Sequence, residues 1–490
     1  MKRLSAYTLL LFVSFFSLKI EAQNQKNANA RIRKIISDTA LQHAIVSFVA
    51  RDLSTDSTII NINGNKCLVP ASIQKIITTG TALERLDSIF TFKTQVGYRG
   101  VIDEHGVLHG DLVIIGSGDP SLGSMYFNKV KTKQKFLSDW AQSVKKYGIT
   151  KIDGGIKIDI SHYEDWPLVG TWTYEDLGNY YGAGIYGITM LDNICELHFY
   201  SPATIGGKTI FKYAVPQIPN LQLDNQVVAG KGGDNAYVFQ TPTSDKMIVR
   251  GDITAGKSDF IVKACISNPP VMLADMLRKS LDSLGITQTV TPQIIMQSTR
   301  HSEQYEFCDI YTQESVPLPQ IIQATNQNSV NLFAEHLLKE IGSCMKGNGS
   351  TQDGLVSLYE FCKSKKIDFG GVQLVDGSGL SRFNLITANF MVDFLTYYFK
   401  RSPYFPLFYK SLPIAGKDGT LETFGKKSAI EGKVIAKTGS MTRVKNLAGY
   451  LTTKSGKTIA FTFMANNYDC GGSKIKGFQE DILKVIYELY

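Results

Sequence analysis

An α+β fold is predicted for this 490-residue chain by three features of its sequence. Apolar residues at helical spacing share both ends of the chain with short, β-rich apolar runs. The middle, residues 92–295, instead alternates short strands with Gly-rich turns. After Pro317 helical patterns return, and a hairpin precedes a last helix. Helices layered on an antiparallel sheet, with a mostly β insertion between the two halves, account for that order. A chain of this length with 43% hydrophobic and 20% charged residues has material for two or three domains.

The N-terminus reads as a secretory signal. Lys2 and Arg3 start it, residues 4–18 form the apolar run, and Ala22 closes it with a small residue suited to cleavage. A secreted, periplasmic protein of the cell envelope is expected, with residues 1–22 removed. No later stretch approaches about 18 unbroken apolar residues, so no transmembrane segment is expected after signal removal. The full chain carries a net charge of +8; losing Lys2, Arg3, Lys19 and Glu21 removes +2 and leaves +6. Its lysines are scattered rather than striped with aromatics, which excludes nucleic acid as a partner. Seven cysteines without a C-x-x-C argue against a zinc ribbon or thioredoxin site, and most are expected as buried free thiols, with at most one or two bridges.

Taken in order, residues 31–41 have helical spacing, and residues 44–50 and 58–62 form a hairpin around a polar turn. Pro70 opens a helix that ends before Phe90. In the insertion, strands are expected at 93–98, 110–115, 152–160, 247–253, 260–267 and 288–297, with helices at 134–147 and 272–284. Gly116-Ser117-Gly118-Asp119-Pro120 is a structured turn rather than a phosphate loop, because no Gly-Lys-Ser/Thr follows. Residues 166–193, rich in Trp, Tyr and Gly, either pack for stability or wall a cleft. Later helices are expected at 318–342, 354–363 and 387–398, with Thr387 as N-cap. Strands at 432–437, 445–452 and 458–464 and a helix at 478–490 complete the chain.

The chemistry is concentrated in Ser72 and Lys75, three apart on one helical face among apolar and small residues. A lysine in an apolar wall resists protonation and can serve as a base for the serine beside it. Ser143/Lys146, Ser343/Lys346 and Ser473/Lys476 share the spacing but lie in polar, charged surroundings. Further along come Ser329-Val330-Asn331 and Lys437-Thr438-Gly439-Ser440-Met441, the latter at a strand end where Gly439 admits close approach to the backbone. No G-x-S-x-G, H-E-x-x-H or calcium-loop spacing competes, and no metal or cofactor is called for.

S-x-x-K, S-x-N and K-T-G in that order resemble the penicillin-binding protein and serine β-lactamase superfamily. Ser72 and Ser329 lie 257 residues apart, and Ser329 and Lys437 lie 108 apart. This long insertion resembles the D-alanyl-D-alanine carboxypeptidase/endopeptidase family, the low-molecular-mass class C penicillin-binding proteins of peptidase family S13. Gly110-Asp111-Leu112, Gly118-Asp119-Pro120-Ser121-Leu122, Asp376-Gly377-Ser378-Gly379-Leu380-Ser381-Arg382 and residues 412–421 agree with it. The resemblance implies a serine β-lactamase/transpeptidase-like domain formed by residues 23–91 and 296–490. It also implies an insertion, 92–295, of two nested small domains.

By resemblance, Ser72 is the nucleophile, Lys75 its base and Ser329 a proton relay, while Asn331 positions the substrate amide. Lys437, Thr438 and Ser440 bind a terminal carboxylate, and the Ser72 and Ser440 N–H groups form an oxyanion hole. Trp172, Glu175, Tyr180, Arg382 and Met441 match positions that read a charged, diaminopimelate-type side chain, with Glu175 where Asp is often found. The implied substrates are peptidoglycan stem peptides ending in D-Ala, with β-lactams as covalent inhibitors. A β-lactamase of the same superfamily and a non-catalytic peptidoglycan-binding module are the alternatives. The first lacks a dedicated water-activating group, and the second has no need of Ser72, Lys75 and Ser329.

Overall fold

Near-continuous apolar runs, buried on both faces, assemble the central sheet. In the computed structural model, which describes residues 23, 25–128, 132–299 and 306–490, five antiparallel strands lie side by side. Their order is Val434–Met441, Val444–Thr452, Thr458–Asn466, Ile45–Asp52 and Thr58–Ile62. The two ends of the chain therefore meet in one sheet, with Phe48 opposite Phe463 and Ala436 opposite Gly449. The expected hairpin of residues 44–50 and 58–62 is present, with Val49 paired to Asn61. Alternation divides the faces. Phe48 and Ala50 pack with Ala28 and Ile32 of the helix over residues 25–36, and with Ile482 and Ile486 of the helix Gly472–Leu489. Val49 turns to the other side, where Ile73, Ile76 and Leu83 meet Phe333, Phe394 and Tyr398.

Most expected elements occur with shifted ends. The helix expected over residues 31–41 runs over 25–36 and is followed by a separate 3-10 turn, Thr39–Leu41. Thr387 does cap the helix Ala388–Arg401, its hydroxyl accepting the Phe390 N–H at 3.1 Å. The single helix expected over residues 318–342 is instead two, Leu318–Asn328 and Asn331–Lys346, with Ser329 between them in the left-handed region. All seven cysteines are free thiols, but only Cys195, Cys265 and Cys362 are buried, fewer than the sequence led one to expect. The signal stretch, residues 1–22, lies outside the described residues.

Between the halves, a seven-stranded sheet is built around Lys93–Ile102 and Val107–Ile115. Cys308–Glu314 pairs antiparallel with Lys93–Ile102, so this sheet draws its last strand from beyond residue 295. The chain from Ile194 to Cys265 adds two three-stranded sheets, one around Ile194–Ser201 and one around Lys246–Thr254. The helices Lys135–Tyr147 and Pro269–Asp282 cover the seven-stranded sheet, burying Trp140, Leu273 and Leu277. Residues 166–193 cross from this part to the helix Asn331–Lys346, carrying Trp172, Ala183 and Ile185 into the core that holds Ile73 and Phe333.

Candidate active site

The segment before Ser72 is fastened to the central sheet. Asn446 donates to the carbonyls of Val69 (2.9 Å) and Pro70 (2.7 Å), and Asn466 accepts the Val69 N–H at 2.8 Å. Ala71 follows with φ of 46°, a conformation that a side chain disfavours and that only firm anchoring sustains. The turn Ala71–Gln74 is a 3-10 helix that continues as the α-helix Lys75–Leu86. Ser72 is half-buried and Lys75 is wholly buried. The Lys75 Nζ stands 3.0 Å from the Ser72 Oγ, 2.6 Å from the Asn331 Oδ1 and 2.8 Å from the Ser378 carbonyl oxygen.

Burial pushes the Lys75 amine down to about 7, although Glu335 and Asp376 nearby partly restore its charge. In the neutral form the Ser72 hydroxyl donates to Nζ, the arrangement a general base needs. The three other S-x-x-K pairs are different. Lys146 is exposed, Lys346 is paired with Glu360 at 2.7 Å, and Lys476 donates to the Thr423 carbonyl.

Ser329 and Asn331 reach the site because the helix breaks between them. Ser329 caps Leu318–Asn328 with φ 59° and ψ 38°, and Asn331 starts the next helix. Asn331 accepts from Lys75 through Oδ1 and donates through Nδ2 to the Tyr181 carbonyl at 2.9 Å. Its amide is thereby fixed between the base and the aromatic loop.

The strand Val434–Met441 is an edge of the central sheet, and it abuts the Ser72 turn. A Cβ on Gly439 would stand 2.6 Å from the Pro70 carbonyl oxygen and 3.1 Å from the Ser72 nitrogen, so only glycine permits this approach. A bridge between Ile414 and Ile435 covers one end of the edge. Ser440 is exposed, and Thr438 shares a hydrogen bond with Thr420, Oγ1 to Oγ1, at 2.9 Å. Lys437 is wholly buried, and burial together with the neighbouring Lys75 holds its amine well below the usual lysine range.

These elements surround a cleft of about 410 Å³ lined by Ser72, Ser329, Asn331 and Ser440. Glu175, Tyr180, Arg382 and Met441 also line it, as do Tyr126 and Asp192. Trp172 does not: it is 7% exposed, and its Nε1 donates to the Asp376 carboxylate at 3.0 Å. Its indole lies in the core, where the Asp376 carboxylate satisfies its N–H. Sequence reasoning also missed Glu335, Ser378 and Tyr181. Glu335 lies inside an apolar helical pattern, and Ser378 and Tyr181 act through backbone carbonyls, which leave no side-chain signature.

A D-alanyl-D-alanine carboxypeptidase DacB of Haemophilus influenzae is 27% identical over 501 aligned residues, spanning all of this chain and 99% of that protein. A D-alanyl-D-alanine carboxypeptidase of Actinomadura sp. (strain R39) is 29% identical over 451 residues, covering 89% of this chain and 80% of that protein. The crystal structure of penicillin binding protein 4 from Haemophilus influenzae has the same fold, with a TM-score of 0.80 at 24% identity over 93% of this chain and 99% of that one. The model of the D-Ala-D-Ala carboxypeptidase 3 (S13) family matches residues 28–485, and with that coverage the chain belongs to this family.

Proposed function

We propose that this enzyme, a serine-type D-Ala-D-Ala carboxypeptidase and/or endopeptidase, works through an acyl-enzyme on Ser72. The observation that carries this is the wholly buried Lys75 amine 3.0 Å from the Ser72 Oγ. Neutral Lys75 takes the hydroxyl proton as Oγ attacks the D-Ala carbonyl carbon. The Ser72 and Ser440 N–H groups stabilise the oxyanion, where one such donor is typically worth about 10²–10³ in rate. The tetrahedral adduct collapses as the C–N bond breaks, and Ser329 relays a proton to the departing amine. Water then attacks the ester and returns the proton, freeing Ser72.

Asn331 orients the substrate amide. Lys437, Thr438 and Ser440 hold the terminal carboxylate, and Gly439 lets the substrate lie along the open strand edge as an added strand. A carboxylate arriving beside Lys437 restores the charge that burial opposes. Glu175, Tyr180, Arg382 and Met441, of both charge signs and all facing the cleft, receive the side chain of the stem peptide. The substrates are peptidoglycan peptides ending in D-Ala, and β-lactams acylate Ser72. A structure of the Haemophilus influenzae penicillin binding protein 4 is complexed with a β-lactam.

Residues 1–22 serve as the export signal, and the protein works in the periplasm. No helix among the described residues is long and apolar enough to cross a membrane. The catalytic domain takes up the N-terminal hairpin and the C-terminal half, and the insertion between them consists of two nested units.

Intact mass before and after penicillin tests the assignment. The expected result is an adduct of one penicillin on the wild type and none on Ser72→Ala. An adduct that persists on Ser72→Ala would remove Ser72 as nucleophile; vanishing penicillin without an adduct would mean β-lactamase turnover.

A further inference from the structure

Beneath Lys75 lies the loop of residues 376–382, held by two buried carboxylates. Asp376 is wholly buried. Its Oδ1 accepts from the Gly379 N–H and from Asn384 Nδ2, both at 2.8 Å. Its Oδ2 accepts from the Ser381 N–H at 2.7 Å and from Trp172 Nε1 at 3.0 Å. Glu335, 1% exposed, takes the Gly377 and Ser378 N–H groups, one on each carboxylate oxygen, at 2.8 Å. The loop so fixed presents the Ser378 carbonyl to Lys75 Nζ at 2.8 Å. It also lies flush on the nucleophile's turn, since a Cβ on Gly379 would stand 2.0 Å from the Ala71 carbonyl oxygen.

The insertion makes two contacts with this loop. Trp172 reaches Asp376, and Thr171 shares a hydrogen bond with Ser381, Oγ1 to Oγ, at 2.7 Å. We propose that loop 376–382 positions the Lys75 amine on Ser72, clamped by Glu335 from the helix that starts at Asn331 and by Trp172 from the insertion. Trp172 then acts through Asp376 on the base rather than on the side chain of the substrate. Glu335 and Trp172 are positioning residues, and the insertion takes part in organising the catalytic base. This rests on the reading of Ser72 and Lys75 as nucleophile and base.

The charges around the amine give the role a pH signature. Lys75 faces the carboxylates of Glu335 and Asp376, and the amine of Lys437. Glu335 faces Asp376 and, along its own helix, Lys339. Burial, and then the Asp376 carboxylate, push the Glu335 carboxyl up, while the Gly377 and Ser378 N–H groups favour its charged form. Where Glu335 is charged it favours protonated Lys75, so its removal lowers the pH at which the base becomes free. In Glu335→Gln one of the two N–H groups also faces an amide NH₂ instead of an acceptor, and the loop loosens.

The test compares wild type, Glu335→Gln and Trp172→Phe. Readouts are acylation by a fluorescent penicillin across about pH 5 to 9, and kcat and KM on two acyl-D-Ala-D-Ala peptides. One peptide bears a diaminopimelate-type side chain and the other a neutral one. Glu335→Gln is expected to lose about ten- to a hundredfold in kcat, as a misplaced catalytic group does. Its KM stays within about twofold, and its acid limb moves to lower pH. Trp172→Phe is expected to lose roughly fivefold in kcat, the worth of one hydrogen bond, equally on both peptides.

A Trp172→Phe effect confined to KM for the charged peptide would make Trp172 a reader of the substrate and overturn the proposal. So would a folded Glu335→Gln with unchanged kcat and acid limb. If circular dichroism shows Glu335→Gln unfolded, Trp172→Phe, which keeps an aromatic ring and deletes only the N–H donor, decides alone. Wild type that penicillin does not acylate overturns the reading of Ser72 itself, and is seen before any variant is compared.

Discussion

Lys75 shows how burial and neighbouring charge set one residue's chemistry. Desolvation disfavours its ammonium, two carboxylates favour it, and the balance near 7 leaves a large neutral fraction at neutral pH. The sign follows: below about 7 the amine is protonated and cannot take the Ser72 proton. Penicillin acylation is therefore expected to fall about tenfold per pH unit on the acid side of that value. A rate constant that stays flat down to about pH 5 would contradict Lys75 as the base. Lys437 is another buried amine; it donates to the Thr438 carbonyl at 3.0 Å, and among the described residues no carboxylate offsets its burial. Lys437→Ala is expected to lose about 1.5–3 kcal/mol of binding to the transition state, ten- to a hundredfold in kcat/KM on a D-Ala-D-Ala peptide.

Helix ends deliver the other groups. The break at Ser329 turns the chain so that a serine closing one helix and an asparagine opening the next face the same cleft. Glycine accepts the φ of 59° there without strain. Ser329→Gly is thus expected to keep thermal stability within about 1 kcal/mol while acyl transfer to water drops sharply. A variant that loses fold and activity together would speak for a structural role only. The Thr387 cap is a contrast, remote from chemistry. Thr387→Ala is expected to cost about 1 kcal/mol in denaturant unfolding with acylation unchanged.

Across the whole molecule, residues 162–164 are bound to the helix Asn331–Lys346 by buried polar contacts. Lys339, nearly fully buried, pairs with Glu164 at 2.9 Å; His162 meets Glu340 at 2.8 Å; and Tyr163 donates to Glu340 and to the His336 carbonyl. Glu164 is one third exposed, so water softens the loss of its partner. Lys339→Ala is expected to destabilise by about 2–3 kcal/mol, combining a lost partner and a void. Thermal melts would register the change, and an unaltered melting temperature would show that the two parts are held mainly by apolar packing.

Sequence alone determined much of this protein, because some information is local. The ordered S-x-x-K, S-x-N and K-T-G motifs carry their own spacing, Thr387 announces a cap three residues before the N–H it takes, and isoleucines after a polar turn mark the strand Thr58–Ile62. Apolar surroundings raised Ser72 above three equivalent spacings, and the motifs that follow it in order selected it. Tertiary structure decided what depends on distant partners. Ser329 adopts the left-handed region because packing demands it, and no residue type at 329 signals the helix break. Glu335 looks like one polar position in an apolar helix until residues 377 and 378 supply its N–H partners. Trp172 is aromatic in either role; only the Asp376 carboxylate, more than two hundred positions away, draws it into the core instead of the cleft. Local propensity is read from neighbours in the chain, whereas buried polar groups are satisfied by neighbours in space.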